Sequence, residues 1–337
     1  MVFSPILLFP CLPLFAQQPD APPTPPAIHV EVNRVSVGAI VTDSGGKFIE
    51  GLQRENFHLL DDGVEQIIKD FAAVDEPANV LVLIEAGPAV YLMEGGHLSA
   101  IYGLLLGLSA SDRVAVVRYA QTPLAIADFT ADKRVTADAI QRLQFNLGFG
   151  ELNLSSSLDT VFDWMENTPS KKSIVLLSTG LDTSAPDDAT RLLQRLRVGD
   201  IRIFAVSLAG EMRTPAASTG KKKKGPPTNA ENAAARQFAA ADAVLKRLAE
   251  ASGGSSYFPT NAREFAEAYA EIARDIRHEY NLGFVPVHDD GQVHTLDVRV
   301  TPGTANSAGT SPVPDNNANA LLIYHRQAYV APKAEAP

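Results

Sequence analysis

The sequence predicts an α/β protein built on a doubly wound, mostly parallel sheet with one antiparallel edge strand, joined to a small β-sandwich unit contributed by both ends of the chain. Three observations predict it. Residues 80–84, 114–117, 174–177 and 203–206 are continuously apolar and largely β-branched, the pattern of strands covered on both faces. Apolar stripes at helical spacing separate these runs. Short stretches of alternating character, rich in Gly turns, flank the whole set on both sides.

The helical stripes are explicit. Leu98, Ile101, Leu104, Leu105 and Leu108 share one face, as do Leu154, Leu158, Val161, Phe162 and Met165. Phe265, Tyr269, Ile272 and Ile276 form a third, opened by Asn261 as cap with Glu264 three residues on. Residues 112–120 and 124–127 are too close for a helical crossover, so they form an antiparallel hairpin at the sheet edge. These elements define an α/β domain over residues 78–278.

The flanks read as strands. Val30, Val32, Val35, Val37 and Ile40 alternate with polar residues, turns follow at Asp43-Ser44-Gly45-Gly46 and Asp61-Asp62-Gly63, and the first β segment spans 28–76. The second spans 279–331: Tyr280 to Val285, then an Asp290-Gly291 turn, then alternation from His294 to Val300, then a last strand over 321–329. A short tail, 332–337, remains. One discontinuous sandwich with the α/β domain inserted is the economical arrangement; two separate β units are the alternative.

Length and charge set the outer bounds. The 337 residues, 45% hydrophobic and 20% charged, suffice for one medium domain and a smaller one. A net charge of −10 gives no general attraction to nucleic acid or to anionic lipid. Residues 1–16 form a short apolar run ending at Ala16 and resemble a secretory leader, although no Lys or Arg precedes it and Pro10 and Pro13 interrupt it. A disordered apolar tail is the alternative. Cys11 lacks the small residues ahead of it that a lipidation site needs, and cleavage after Ala16 would leave the mature chain without a cysteine. Residues 17–27 are a Pro-rich spacer, and no later stretch has the roughly 18–20 apolar residues of a membrane span. Residues 211–232, with Lys221 to Lys224 at the centre, read as an exposed disordered loop.

Several of these features in order resemble a known family. A buried strand ending in a polar turn, the Asp112-Arg113-Val114-Ala115-Val116-Val117 hairpin, a Gly-rich loop before the Leu154 helix, and Leu176-Leu177-Ser178-Thr179-Gly180-Leu181-Asp182 are similar to the von Willebrand factor A fold. The flanking Asp61-Asp62-Gly63 and Tyr280-Asn281-Leu282-Gly283-Phe284 are similar to the von Willebrand-related proteins abundant in acidobacteria. The resemblance implies an exported bacterial protein. It also implies a metal-ion-dependent adhesion site at the carboxyl edge of the sheet, where oxygen ligands hold a divalent cation that a partner's carboxylate completes.

Carried over position by position, that site is degenerate. Glu85 stands for its Asp, Gly87 and Ala89 for its two serines, Leu152 for its Thr and Thr179 for its second Asp. One carboxylate and one neutral hydroxyl are too little to hold Mg²⁺ against its own hydration. The sequence therefore predicts no metal and no other cofactor. A one-residue shift in the Gly148-Phe149-Gly150 loop would bring in Glu151, and Asp182 lies close in sequence, so Glu85, Glu151 and Asp182 carry the alternative of an altered Mg²⁺ site. Their plain reading is as helix caps or partners of a base.

No catalytic motif appears: neither a G-x-S-x-G elbow, an H-E-x-x-H helix, a Walker loop nor a dinucleotide fingerprint. Ser155-Ser156-Ser157 reads as a helix-opening cap, and His278-Glu279 as charge at a helix end. The sequence thus predicts a secreted or periplasmic, non-enzymatic protein that binds an unidentified protein partner. A cation-dependent adhesion module and an exported hydrolase with a dispersed site are the alternatives.

Overall fold

The computed structural model describes residues 34–74, 77–87, 97–143, 150–166, 168, 170–210, 229–301 and 321–333. The leader at 1–16, the spacer at 17–27, Ala89, Gly148-Phe149 and residues 211–228 lie outside them.

The central sheet has six strands: β5 (Ala78–Glu85), β6 (Arg113–Tyr119), β7 (Pro123–Thr130), β8 (Lys171–Ser178), β9 (Ile201–Ser207) and β10 (Ser256–Tyr257). Their order is β10-β9-β8-β5-β6-β7, all parallel except β7, which returns antiparallel to β6 at the edge. The hairpin expected at 112–127 is that edge.

Every residue of β5 is buried, and successive side chains enter opposite cores. Val80, Val82 and Ile84 pack with α1 (His97–Gly107) and α6 (Ala262–Arg277) on one face. Leu81 and Leu83 pack with α3 (Leu154–Glu166), α4 (Pro186–Val198) and α5 (Asn229–Ala251) on the other. This two-sided burial is why β5 reads as an unbroken apolar run rather than an alternation. Asn261 caps α6 by accepting from the Glu264 amide, 3.1 Å, as the sequence pattern predicts.

Three further helices were not among the stripes named from the sequence: α2 (Lys133–Gln141), which buries only Thr136, Ala139 and Ile140, α4, which buries only Leu192 and Leu196, and α5. The last corrects the expected loop at 211–232, because α5 already begins at Asn229.

Eight further strands make two antiparallel sheets. One has the order β13-β1-β11-β4, from β1 (Val35–Thr42), β4 (Asp70–Val74), β11 (Glu279–Phe284) and β13 (Leu322–Tyr324). The other has the order β14-β12-β2-β3, from β2 (Phe57–Asp61), β3 (Val64–Gln66), β12 (Val293–Val300) and β14 (Ala328–Val330). Each mixes strands from the two ends of the chain. The sheets meet through aromatic rings, Phe57 against Tyr280 at 5.1 Å and Phe284 edge-on to Tyr329 at 5.6 Å. The single strand expected over 321–329 is two strands, β13 and β14, one in each sheet. Lys333 pairs with Asp290, so the chain is still engaged at the start of the expected tail.

The sandwich and the α1–α6 face of the central sheet share one continuous core. Phe284 is fully buried at the junction of the two antiparallel sheets. Truncation there removes most of an aromatic side chain from a packed core. Phe284→Ala is expected to cost about 3–5 kcal/mol, read as a lower urea midpoint with an unchanged m-value.

Candidate functional site

Three neighbouring strands, β8, β5 and β6, end side by side at the carboxyl edge of the central sheet. Glu85 is opposite Tyr119 in register, and Ile84 opposite Leu177, which brings Ser178 level with Glu85. All three side chains are fully buried. Their polar ends converge and satisfy one another.

Glu85 Oε2 accepts from the Thr179 amide at 2.7 Å, Thr179 Oγ1 at 2.8 Å, Ser178 Oγ at 3.0 Å and Tyr119 OH at 3.2 Å. Oε1 lies 3.0 Å from Thr179 Oγ1. Tyr119 OH and Ser178 Oγ are themselves 2.7 Å apart, and the Gly180 amide donates to Ser178 Oγ at 2.9 Å. Burial nevertheless outweighs these donors and raises the Glu85 carboxyl above its ordinary value. Burial, with the neighbouring carboxyl second, drives the Tyr119 phenol well upward too, so it stays protonated.

The sequence singled out Glu85 and Thr179 at this place, and they are in direct contact. It missed Tyr119 and Ser178. Their signal was positional: each is the last residue of a strand adjacent to β5.

Leu152 lies beside Gly87. A methyl group added at Gly87 would sit 3.2 Å from Leu152 Cδ2 and 3.3 Å from Glu85 Oε1. The loop carrying Leu152 is tied to the loop after β8 in both directions. The Leu152 amide donates to Thr183 Oγ1 at 2.9 Å, and the Thr183 amide to the Leu152 carbonyl at 2.7 Å. Gly180, at φ +78°, lets this loop approach α5, since a Cβ there would fall 2.4 Å from the Ala241 carbonyl oxygen.

Glu151 and Asp182 take other partners. Glu151 is exposed and accepts from Gln121 Nε2 at 3.1 Å. Asp182 sits at the start of α3, accepting from the Ser155 amide at 3.2 Å, from the Ser155 hydroxyl and from the Ser184 amide at 2.9 Å. The Ser155-Ser156-Ser157 run is thus not a self-contained cap: Asp182 and Ser184 reach across to the first α3 amides. Glu279, expected at a helix end, instead opens β11 and bridges Lys171 and Arg202. The His278 ring stacks on Phe48 at 5.3 Å.

Among the described residues one trio of His, Cys, Asp or Glu has ligand atoms within 4.8 Å of one another: Asp61, Asp62 and His294. It lies in the sandwich, where the sequence reading saw only a turn and a strand. Asp61 Oδ2 accepts from Tyr329 OH at 2.8 Å. Asp62 Oδ1 accepts from the Thr295 amide and hydroxyl, each at 2.8 Å. His294 places Nδ1 at 2.8 Å from Asp62 Oδ2 and Nε2 at 3.1 Å from Asp290 Oδ1. A doubly protonated ring satisfies both carboxylates, and these hydrogen bonds, Asp290's the larger, raise the imidazole above its ordinary value.

Residues 98–269, just over half of the 337, match the model for the von Willebrand factor type A domain. The chain belongs to that family. A solved structure titled von Willebrand factor type A from Catenulispora acidiphila is similar at 12% identity, covering 83% of this chain and 74% of that one, with a TM-score of 0.44. The conserved hypothetical protein BatB from Bacteroides thetaiotaomicron is similar at 11% identity, covering 59% of this chain and 98% of that one, TM-score 0.42. The manganese-loaded TRAP protein of Plasmodium vivax is similar at 12% identity, covering 80% and 98%, TM-score 0.40. Comparison with curated proteins gave no match.

The raised Glu85 carboxyl sets a sign for pH dependence. Its folded-state value exceeds the unfolded one, so its contribution is fully present below the ordinary carboxyl range, near 4.5, and is lost as pH rises through the folded value. Glu85→Gln keeps an acceptor for Thr179 and Ser178 and removes the ionisation. Denaturation midpoints of that variant are expected to gain on the parent between pH 5 and pH 8, whereas Glu85→Ala, which strands buried donors, is expected to lose about 2–4 kcal/mol throughout.

Proposed function

We propose that this chain is an exported, non-enzymatic binding protein whose von Willebrand factor A domain engages a protein partner without a metal ion. Domains of this family commonly mediate protein–protein contact. The single observation that supports the metal-free part is the state of Glu85: it is fully buried, and Ser178, Thr179 and Tyr119 crowd one of its oxygens.

The residues do not fit a hard cation. Such an ion takes oxygen ligands in near-octahedral order and gives up water reluctantly. Here Leu152 offers methyl groups and Gly87 no side chain, while Glu151 and Asp182 are engaged with Gln121 and Ser155. Glu85 would have to break hydrogen bonds made where burial already favours its neutral form. Leu152 and the 44% exposed Leu181 instead give this edge of the sheet an apolar component suited to a protein surface.

Export rests on the leader-like residues 1–16. Among the described residues no helix is long and apolar enough to cross a membrane. The non-enzymatic part rests on the absence of any recognised catalytic motif in the sequence.

A ligand that binds only the native state raises its melting temperature. Mg²⁺ or Mn²⁺ added to about 10 mM, tenfold above a millimolar affinity, is expected to leave the melting temperature unchanged. A saturable rise that Glu85→Gln removes would establish the cation-dependent reading instead. For the partner, affinity capture from the native cell envelope with wild type and with Leu181→Asp is the test. A protein retained by the first and lost by the second is the expected result.

A further inference from the structure

On the opposite edge of the central sheet, at the amino-terminal ends of β8 and β9, lies a cavity of about 250 Å³. Its walls come from β1 and β11 of the sandwich and from β8, β9 and α6 of the inserted domain. Four cations line it: Lys171, Lys172, Arg202 and Arg326. Their pairing does not come out even.

Glu279 serves two of them at once, with Oε2 2.9 Å from Lys171 Nζ and Oε1 2.8 Å from Arg202 Nη2. All three side chains are only 11–12% exposed. The arrangement is built into the backbone: at Gly38 a Cβ would fall 1.5 Å from Glu279 Oε1, so only glycine leaves room for the shared carboxylate. Lys172 pairs with Asp200 at 2.8 Å. Arg326 has no ion-pair partner among the described residues. Its Nη2 donates to the Ser36 carbonyl at 2.6 Å, and its Nε is buried without a hydrogen bond.

One carboxylate shared by two cations leaves a positive charge over, and Arg326 adds another. The remaining acid of the cavity, Asp275, is pushed by burial up to about 7 and so carries only part of a charge at neutral pH. Desolvation opposes the Arg326 charge as well. A half-buried guanidinium that feels Asp200 only at a distance, while Asp200 itself pairs with Lys172, is costly to hold charged, and a planar fork of N–H donors suits an oxyanion. The cavity far exceeds the roughly 30 Å³ that one water fills.

We propose that this cavity binds a compact oxyanion of the phosphate or sulfate class, seated on Arg326 with Arg202 and Lys171 supplying the surplus charge. This goes beyond the binding function proposed above and is independent of it, because it concerns the other edge of the sheet. Its consequence is a bond across the seam: the anion would link the sandwich to the inserted domain.

The test is thermal denaturation of the full chain in low-millimolar phosphate or sulfate, against chloride at equal ionic strength. A saturable rise of about 2–4 °C at tenfold the dissociation constant is expected for the wild type. Arg326→Gln should abolish it, and Arg326→Lys, which keeps the charge and loses the fork, should weaken binding about tenfold or more. No saturable rise, or an equal rise in Arg326→Gln, overturns the proposal. Should the Arg326 variants fail to fold, ³¹P line-broadening of phosphate by the wild type decides. Broadening reversed by sulfate but not by chloride supports the site, and its absence overturns it.

Discussion

The burial of β5 on both faces is the constraint to which the rest of the molecule answers. A strand with Val80, Val82 and Ile84 on one side and Leu81 and Leu83 on the other needs helices above and below it. That requirement sets the doubly wound topology. It also means that the first polar residue after the apolar run, Glu85, emerges at a strand end that is still fully enclosed. A carboxyl delivered to such a place has to be met by donors from adjacent strands, and Thr179, Ser178 and Tyr119 meet it. The chemistry of the carboxyl edge therefore follows from the packing of the sheet.

Much of this was legible in the sequence for the same reason. Two-sided burial writes long β-branched runs, and the stripes of α3 and α6 are clear because each helix faces a full core, whereas α1 is apolar nearly all round. The shorter or more polar elements were harder to read. α2 presents few buried residues, Thr136, Ala139 and Ile140 among them, and α5 is largely alanine and charge along its first turns. The split between β13 and β14 could not be read at all, since only pairing with β1 and β12 separates two strands three residues apart.

The candidate site divides along the same line. Glu85, Thr179 and Leu152 were placed by the family resemblance, Glu85 at the end of β5 and Thr179 directly after β8. Tyr119 and Ser178 belong to the site only because parallel register levels three strand ends. The Asp61, Asp62 and His294 cluster is less legible still, because it joins residues more than two hundred positions apart across the inserted domain. Asp290 and Tyr329, which complete its hydrogen bonds, lie beyond that domain as well.

One topological detail carries further. β4 leads into the α/β domain and β11 leads out of it, and the two strands pair antiparallel with Val74 opposite Glu279. The doorway and the exit of the insert are thus about 5 Å apart. To the sandwich, some two hundred residues are topologically equivalent to one long hairpin loop. The insert therefore interrupts the connectivity of the sandwich no more than a hairpin would, while the shared core binds the two together.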